Sequence, residues 1–341
     1  NLGNSSLKWE KTAQWDFGFN LNLFKNRLNF DISYYYKKTT DLLLGRPVPY
    51  LTGFTSVMDN IGSVQNKGVD IMVTATPVQS KDFSWNATLN MNYNKNKVLK
   101  LGENDEDILN NGFLNGYSIL RVGESMGSFY GYERYGVWTT EDYQAGKCEL
   151  KQVGRAHRSD DRKILGKGLP DWTGSFINDF RYKGFDLTVD MQFVWGVDCA
   201  QEFFHSTYDR FGITSGLAAI YTDAYNGSNP NTMQQAVYLC NSNHAGQDTK
   251  FDSQWVCDAS YLRCNLIQLG YTLPAKVIKP IGLSNLRVYG SVNNAFMVCS
   301  SDFLGFDPEG TSQGTSQFGQ NMFFFQYPRP RTFTFGLSAT F

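Results

Sequence analysis

The chain has 341 residues, 41% hydrophobic, 18% charged and 15% aromatic, with 26 Phe, 19 Tyr and a formal net charge of −1. A near-neutral chain gives no electrostatic case for nucleic acid, and no stretch approaches the roughly 18 consecutive apolar residues of a membrane-spanning helix. So many rings beside so few charges suit a β-barrel wall, with aromatic girdles at both membrane interfaces, better than a soluble enzyme.

The start, Asn1-Leu2-Gly3-Asn4, carries no basic region, apolar core or cleavage site and does not read as a signal peptide. A barrel protein must be exported, so the expectation is a piece of a longer precursor. Period-two alternation, which sends successive side chains to opposite faces of a strand, then sets in. Trp15, Phe17, Phe19, Leu21 and Leu23 alternate with Asp16, Gly18, Asn20 and Asn22. Leu28, Phe30, Ile32, Tyr34 and Tyr36 alternate with Asn29, Asp31, Ser33, Tyr35 and Lys37. The same rhythm recurs from Val69 to Thr76, from Phe83 to Asn94 and from Phe185 to Phe193. At the end, Arg331, Phe333, Phe335, Leu337, Ala339 and Phe341 share one face, opposite Thr332, Thr334, Gly336, Ser338 and Thr340.

The pattern predicts nine wall strands, near 14–24, 27–40, 62–77, 82–97, 171–182, 184–198, 258–273, 285–298 and 331–341. In the strand near 258–273 the apolar set changes face. Leu262, Cys264 and Leu266 favour one side and Ile267, Leu269 and Tyr271 the other, which a β-bulge between them reconciles.

A soluble β-sandwich and a membrane barrel both produce such alternation. Sandwich strands typically run about 5 to 6 residues, whereas a membrane strand needs about 9 to 11, and the runs 14–24, 27–38 and 83–94 are of the longer kind. The links alternate short (Lys25-Asn26, Val78 to Lys81, Lys183, Pro274 to Ser284) and long (41–61, 98–170, 199–257, 299–330). Outer-membrane barrels have this rhythm of short periplasmic turns and long external loops, while a soluble domain seldom tolerates several structureless loops of such length. The predicted fold class is therefore all-β: the C-terminal part of one large antiparallel transmembrane β-barrel, spanning 1–341. Nine strands with a free edge at each end cannot close in lipid, so earlier strands are expected from an N-terminal part.

Several stretches resemble a known family. They are Leu7-Lys8-Trp9-Glu10-Lys11-Thr12; Asn60-Ile61-Gly62 leading to Asn66-Lys67-Gly68-Val69-Asp70; Phe83-Ser84-Trp85-Asn86; Gly127-Ser128-Phe129-Tyr130-Gly131-Tyr132; Leu169-Pro170-Asp171-Trp172-Thr173-Gly174; Asp258-Ala259-Ser260-Tyr261-Leu262-Arg263; Leu269-Gly270-Tyr271-Thr272-Leu273-Pro274; and Pro330-Arg331-Thr332-Phe333-Thr334-Phe335-Gly336-Leu337. In order and over nearly the whole chain, they resemble the C-terminal half of SusC/RagA-type TonB-dependent outer-membrane transporters of Bacteroidetes. The resemblance implies a 22-stranded barrel, an N-terminal plug, a TonB-contacting segment and a SusD-like lipoprotein that closes over the external mouth. It also implies import of oligosaccharides, sometimes peptides, and a barrel-assembly signal at the terminal Phe341. Many relatives carry a calcium-type loop before the Leu-Pro-Asp segment. Here Gln152 to Arg162 lacks the alternating oxygen ligands and central glycine, so no calcium is expected.

Chemistry-bearing motifs are sparse. Gly123-Glu124-Ser125-Met126-Gly127 matches G-x-S-x-G, but a nucleophile elbow needs a following helix and Ser128-Phe129-Tyr130 reads as extended. His157, His205 and His244 have neither i, i+4 spacing nor an H-E-x-x-H motif. The run Glu103, Asp105, Glu106, Asp107 reads first as a solvated loop face. Six cysteines form no C-x-x-C pair; Cys240 and Cys257 have the spacing of a loop disulfide, against a plainer account of buried free thiols. No catalytic residue, metal or cofactor is predicted.

Loop rings are the more informative feature, because sugars stack their apolar faces on aromatic side chains. Tyr208, Phe211, Tyr221, Tyr225, Tyr238 and Trp255, with Asp209 and Asp223 as hydroxyl acceptors, form the predicted substrate-binding set, and Tyr130 and Trp138 join it in the vestibule. The competing account has these rings pack the loops together or meet the lid partner. The functional expectation is TonB-dependent import of an oligosaccharide, with a SusD-like lid, across the outer membrane. A passive porin, import of peptides, or a soluble carbohydrate-binding β-protein are the rivals.

Overall fold

In a computed structural model, residues 3–48, 50–54, 56–109, 118–207, 215–237, 250–310 and 319–341 are described. The wall strands are β1 (Lys11–Leu23), β2 (Leu28–Pro47), β3 (Ser56–Gln79), β4 (Phe83–Leu101), β5 (Trp172–Tyr182), β6 (Phe185–Trp195), β7 (Tyr261–Thr272), β8 (Asn285–Cys299) and β9 (Thr332–Thr340). They form one nine-stranded sheet in chain order, antiparallel throughout, with β1 and β9 at its edges. No helix among the described residues is long and apolar enough to cross a membrane.

Register converts the alternation into rows. Phe17, Tyr34, Val69, Tyr93, Trp172 and Trp195 are successive cross-strand partners on the outward face. A lower row runs through Phe83, Tyr182, Phe185, Tyr271, Val288 and Leu337. Ring pairs stitch each row: Tyr93 and Trp172 lie 4.8 Å apart, Phe185 and Tyr271 4.5 Å. Phe83 and Tyr93 are ten positions apart on β4, or ~34 Å along the strand. At a tilt of about 40° the two rows stand ~26 Å apart, close to the apolar band of a membrane barrel.

The apolar face is not a core. Trp15, Phe17 and Trp195 are each 64 to 65% exposed, and Tyr182, Phe185 and Leu269 are about half exposed. In a soluble sheet these rings would pack against a second layer. One polar side chain on this face, Asn178, is buried and accepts the indole N–H of Trp85 at 3.1 Å. The indole N–H and the amide oxygen satisfy each other there.

The buried cores lie instead in the long connections. Phe129, Phe203, Phe251, Trp255, Phe303, Met322 and Phe323 form one, drawn from three loops. Leu44, Val64 and Val98 at the upper ends of β2 to β4 pack with Leu101, Ile108 and Leu120 in a second. The expectation of structureless loops is therefore corrected. Residues 102–171 hold a four-stranded sheet from Ile108–Leu109, Ser118–Leu120, Ser128–Val137 and Ala156–Gly166. Asp198–Gln201 pairs with Val256–Asp258 and Met322–Phe323 in a three-stranded sheet. These short strands gain stability from partners remote in sequence, so local alternation does not reveal them.

The wall bounds differ from prediction mainly at the upper ends. β2 runs on to Pro47 and β3 begins at Ser56, closing most of the predicted 41–61 loop. Their ladder shifts register between Thr39 and Leu42, which breaks the alternation where the wall leaves the apolar band. The bulge in β7 falls between Cys264 and Leu266, so Leu266 turns inward opposite Asp190 while Ile267, Leu269 and Tyr271 stay outward.

Candidate functional site: the lumenal wall and the external loops

The inward face of the sheet carries the polar half of each strand. Asn92 Nδ2 donates to Asp70 Oδ1 at 2.6 Å, Tyr35 Oη to Asn94 Oδ1 at 3.0 Å, and Asn96 Nδ2 to Asn66 Oδ1 at 2.8 Å. Farther round, Asn90 Nδ2 donates to Ser175 Oγ, Thr188 Oγ1 to Asp179 Oδ1, and Asn265 Nδ2 to Gln192 Oε1. Amides and hydroxyls satisfy one another across strands and keep spare donors and acceptors for water or solute. A shallow recess of about 560 Å³ lies here, lined among others by Asp31, Asp70, Asn90, Asn92, Asp190 and Gln192. Its carboxylates and amides favour polar, hydrogen-bonding solutes.

Above the wall, the loops are clamped by buried charge. Asp252 is fully buried and accepts from Arg134 Nη2 at 2.6 Å and from Arg158 Nε. Arg134 also reaches Gln254 and the Met233 carbonyl. This ties the Ser128–Val137 and Ala156–Gly166 hairpin to Met233, Asp252 and Gln254. In the last loop, Arg263 pairs with Asp307, and Arg329 closes the group through Glu309 at 2.9 Å. A buried carboxylate meeting two guanidiniums is the satisfied form of a costly group.

The vestibule residues divide in two. Tyr130 lies under Arg121 Cζ at 4.9 Å, and the adjacent Tyr132 takes Arg162 at 5.5 Å and Lys250 Nζ at 5.4 Å. The Asp107 carboxylate accepting from Arg121 pushes that guanidinium further up in basicity. Trp138 stacks on His157 at 3.7 Å, with Tyr135 edge-on to the same imidazole at 5.3 Å. Tyr221 and Asp223 are exposed on the short helix Ala218–Asp223. Tyr225 instead holds loops together, its hydroxyl accepting from Thr140 N at 2.9 Å. Trp255 is 2% exposed, inside the loop core against Phe251, and its ring serves packing. Tyr208, Asp209, Phe211 and Tyr238 lie outside the described residues. The exposed members Tyr221 and Asp223 thus sit above the wall, but no single cleft among the described residues gathers the whole predicted set.

Sequence reading missed the basic partners Arg121, Arg162 and Lys250 and the Asp252 clamp. Local spacing does not mark them, because the pairs lie from 9 (Arg121 and Tyr130) to 118 positions apart.

The tempting motifs resolve structurally. Gly123 to Gly127 is followed by the strand Ser128–Val137 rather than a helix, so it is no nucleophile elbow. Asp105 accepts from Leu101 N within a turn, and Asp107 pairs with Arg121. No metal-holding group of His, Cys, Asp and Glu occurs among the described residues. Cys257 is a buried free thiol whose pKa burial pushes up to about 12; its suggested partner Cys240 lies outside the described residues. Phe341 ends the chain directly after β9, 92% exposed on the outward side.

Comparison with known proteins fits this geometry. Residues 1–295 match the family described as TonB dependent receptor-like, beta-barrel. TonB-dependent receptor P3 of Formosa agariphila is 33% identical over 362 residues, which cover 100% of this chain and 35% of that protein. TonB-dependent receptor SusC of Bacteroides thetaiotaomicron is 30% identical, covering 99% of this chain and 32% of its own. Among solved structures, the RagAB peptide importer in its closed-closed state superposes with a TM-score of 0.76 at 26% identity, over 99% of this chain and 36% of that one. The chain spans about a third of the length of the relatives it matches. An outward apolar wall, an inward amide lining and these matches together place the chain in the TonB-dependent receptor family, within its SusC/RagA-like β-barrels.

Proposed function

We propose that the chain is the C-terminal part of an outer-membrane transporter that imports a nutrient by TonB-coupled movement of a plug, with a SusD-like lipoprotein covering the external mouth. One observation carries this reading: the sheet is two-sided, with exposed apolar rows outside and a hydrogen-bonded polar wall inside. Such a wall suits passage of a polar solute through a lipid-embedded barrel. The relatives' threefold greater length leaves room for the plug, the TonB contact and the remaining strands.

For the substrate we propose an oligosaccharide. Exposed Tyr221 with Asp223, and the Tyr130 and Trp138 positions on the hairpin, offer rings and hydroxyl acceptors above the mouth. Tyr208, Asp209, Phe211 and Tyr238 belong to the same proposed set. Peptide import is the second reading, favoured by the likeness to the RagAB peptide importer.

Uptake of labelled oligosaccharide and peptide libraries by cells with and without TonB, and with and without the lid lipoprotein, tests the proposal. Loss of uptake of one class in both deletions supports it. Uptake that persists without TonB, with ion conductance by the intact protein in planar bilayers, replaces it with a passive porin.

A further inference from the structure

Four lysines cluster in two rows on the outward face of three neighbouring strands, below the Lys11–Asp41 ion pair at the rim. Directly above the aromatic row, Trp15, Tyr36, Lys67 and Lys95 are successive cross-strand partners, and above them Ala13, Lys38, Gln65 and Lys97. Lys38, Lys67, Lys95 and Lys97 are all exposed, and none forms an ion pair with a described residue. Outward-facing positions of 28–40, 63–75 and 83–97 contain no Asp or Glu. Glu124, whose carbonyl accepts from Val98 N beside this corner of the wall, makes no ion pair with them. Tyr36 Oη donates to Gln65 Oε1 at 3.4 Å, so the Gln65 amide nitrogen is turned out as a further donor.

Strand spacing of ~4.8 Å, and ~6.8 Å between alternate residues, sets four ammonium groups over a patch of roughly 10 by 7 Å. Beneath it the outward wall is apolar: Val69, Ile71, Leu89 and Met91. The patch stands at the long-loop end, the external side of such barrels. A general interfacial belt of snorkelling lysines would ring the sheet. On the neighbouring β1 the same two rows carry Trp15 and Ala13 instead, and β6 ends at Trp195, in the aromatic row below.

We infer that this patch binds a phosphate-bearing lipid of the outer leaflet, its phosphate among the four lysines and its acyl chains along the apolar rows below. The inference rests on the outer-membrane reading above. Charge complementarity selects the headgroup, and the continuous apolar strip selects a lipid over a soluble anion.

The test uses the full-length transporter, purified in mild detergent and delipidated, with lipid A in phosphatidylethanolamine vesicles as the probe. Recovery in the outer-membrane fraction is scored first. Protein found only in the soluble fraction overturns the membrane reading itself, whereas inserted protein that ignores the phosphate overturns this inference alone. The expectation is that lipid A binds the wild type about tenfold or more tightly than the variant K38Q/K67Q/K95Q/K97Q. The matching lysine-to-arginine variant retains lipid A, and dephosphorylated lipid A does not distinguish wild type from the glutamine variant. Equal affinity of lipid A for wild type and glutamine variant overturns the inference, as does competition by inorganic phosphate at matched concentration.

Discussion

The ring of Tyr35 lies across Gly68, its partner in the β2–β3 ladder, on the lumenal face. A Cβ at position 68 would stand 2.7 Å from Tyr35 Cζ and closer still to the Tyr93 carbonyl. Tyr35 then reaches past it to Asn94. Gly68→Val therefore displaces the ring and the backbone together, at a cost of about 1 to 3 kcal/mol. The urea concentration that unfolds the full-length barrel should fall accordingly. An unchanged midpoint would mean that the ring does not lie over the glycine.

Asn178 and Trp85 make a paired test on the outward face. Asn178→Leu removes the acceptor and leaves the indole N–H without a partner in an apolar setting, which costs about 1 kcal/mol. Trp85→Phe in the same background should recover most of that loss. A double-mutant cycle that shows no coupling between the two positions contradicts the bond.

Arg263 is almost fully buried and holds Asp307 and, through it, the last loop. Removing one partner of a buried ion pair usually costs about 3 to 5 kcal/mol. Arg329 lies 3.3 Å from Asp307 and softens the loss. Arg263→Met is expected to cost about 2 to 4 kcal/mol locally and to open residues 300–310 to protease added outside intact cells, while the barrel itself survives. Equal protection in mutant and wild type removes the clamp from the account.

The Asp198 carboxyl is pushed above its ordinary range, first by burial and then by the neighbouring Asp258 and Asp171 charges, against the Lys167 N–H that it accepts. The folded loop sheet therefore binds the proton more tightly than the unfolded chain does. Stability of the 198–201 and 256–258 pairing grows as pH falls from the raised value toward the ordinary carboxylate value of about 3.9. Above the raised value that contribution is absent. Amide exchange at Ala200, corrected for intrinsic rates, should be slower near pH ~5 than near pH ~8. Asp198→Asn should flatten the difference. An opposite slope in the wild type contradicts the assignment.

How much of this was legible in the sequence follows from where alternation is enforced. Between Phe17 and Leu23, or Phe83 and Tyr93, lipid on one side and water on the other compel strict period two, so the strands and their faces could be read directly. Above the apolar band that compulsion ends. The register shift at Thr39 to Leu42 and the loop core built from Phe129, Phe251 and Phe323 left no local trace. Of the candidate site, Tyr130 and Trp138 were legible as loop rings, but the cations that flank Tyr130 and the burial of Trp255 depend on contacts between separate loops. Lys38, Lys67 and Lys95 are far apart in the sequence, and only cross-strand register sets them side by side.

The central claim is that the apolar face of this sheet meets hydrocarbon. Spin labels placed singly along 83–93 of the full-length protein in native outer membrane test it most directly, read by collisional access to oxygen and to a water-soluble nickel chelate. The account predicts period-two alternation, with odd positions favouring oxygen and even positions the chelate. Loss of alternation, or oxygen access at the even positions, would contradict it.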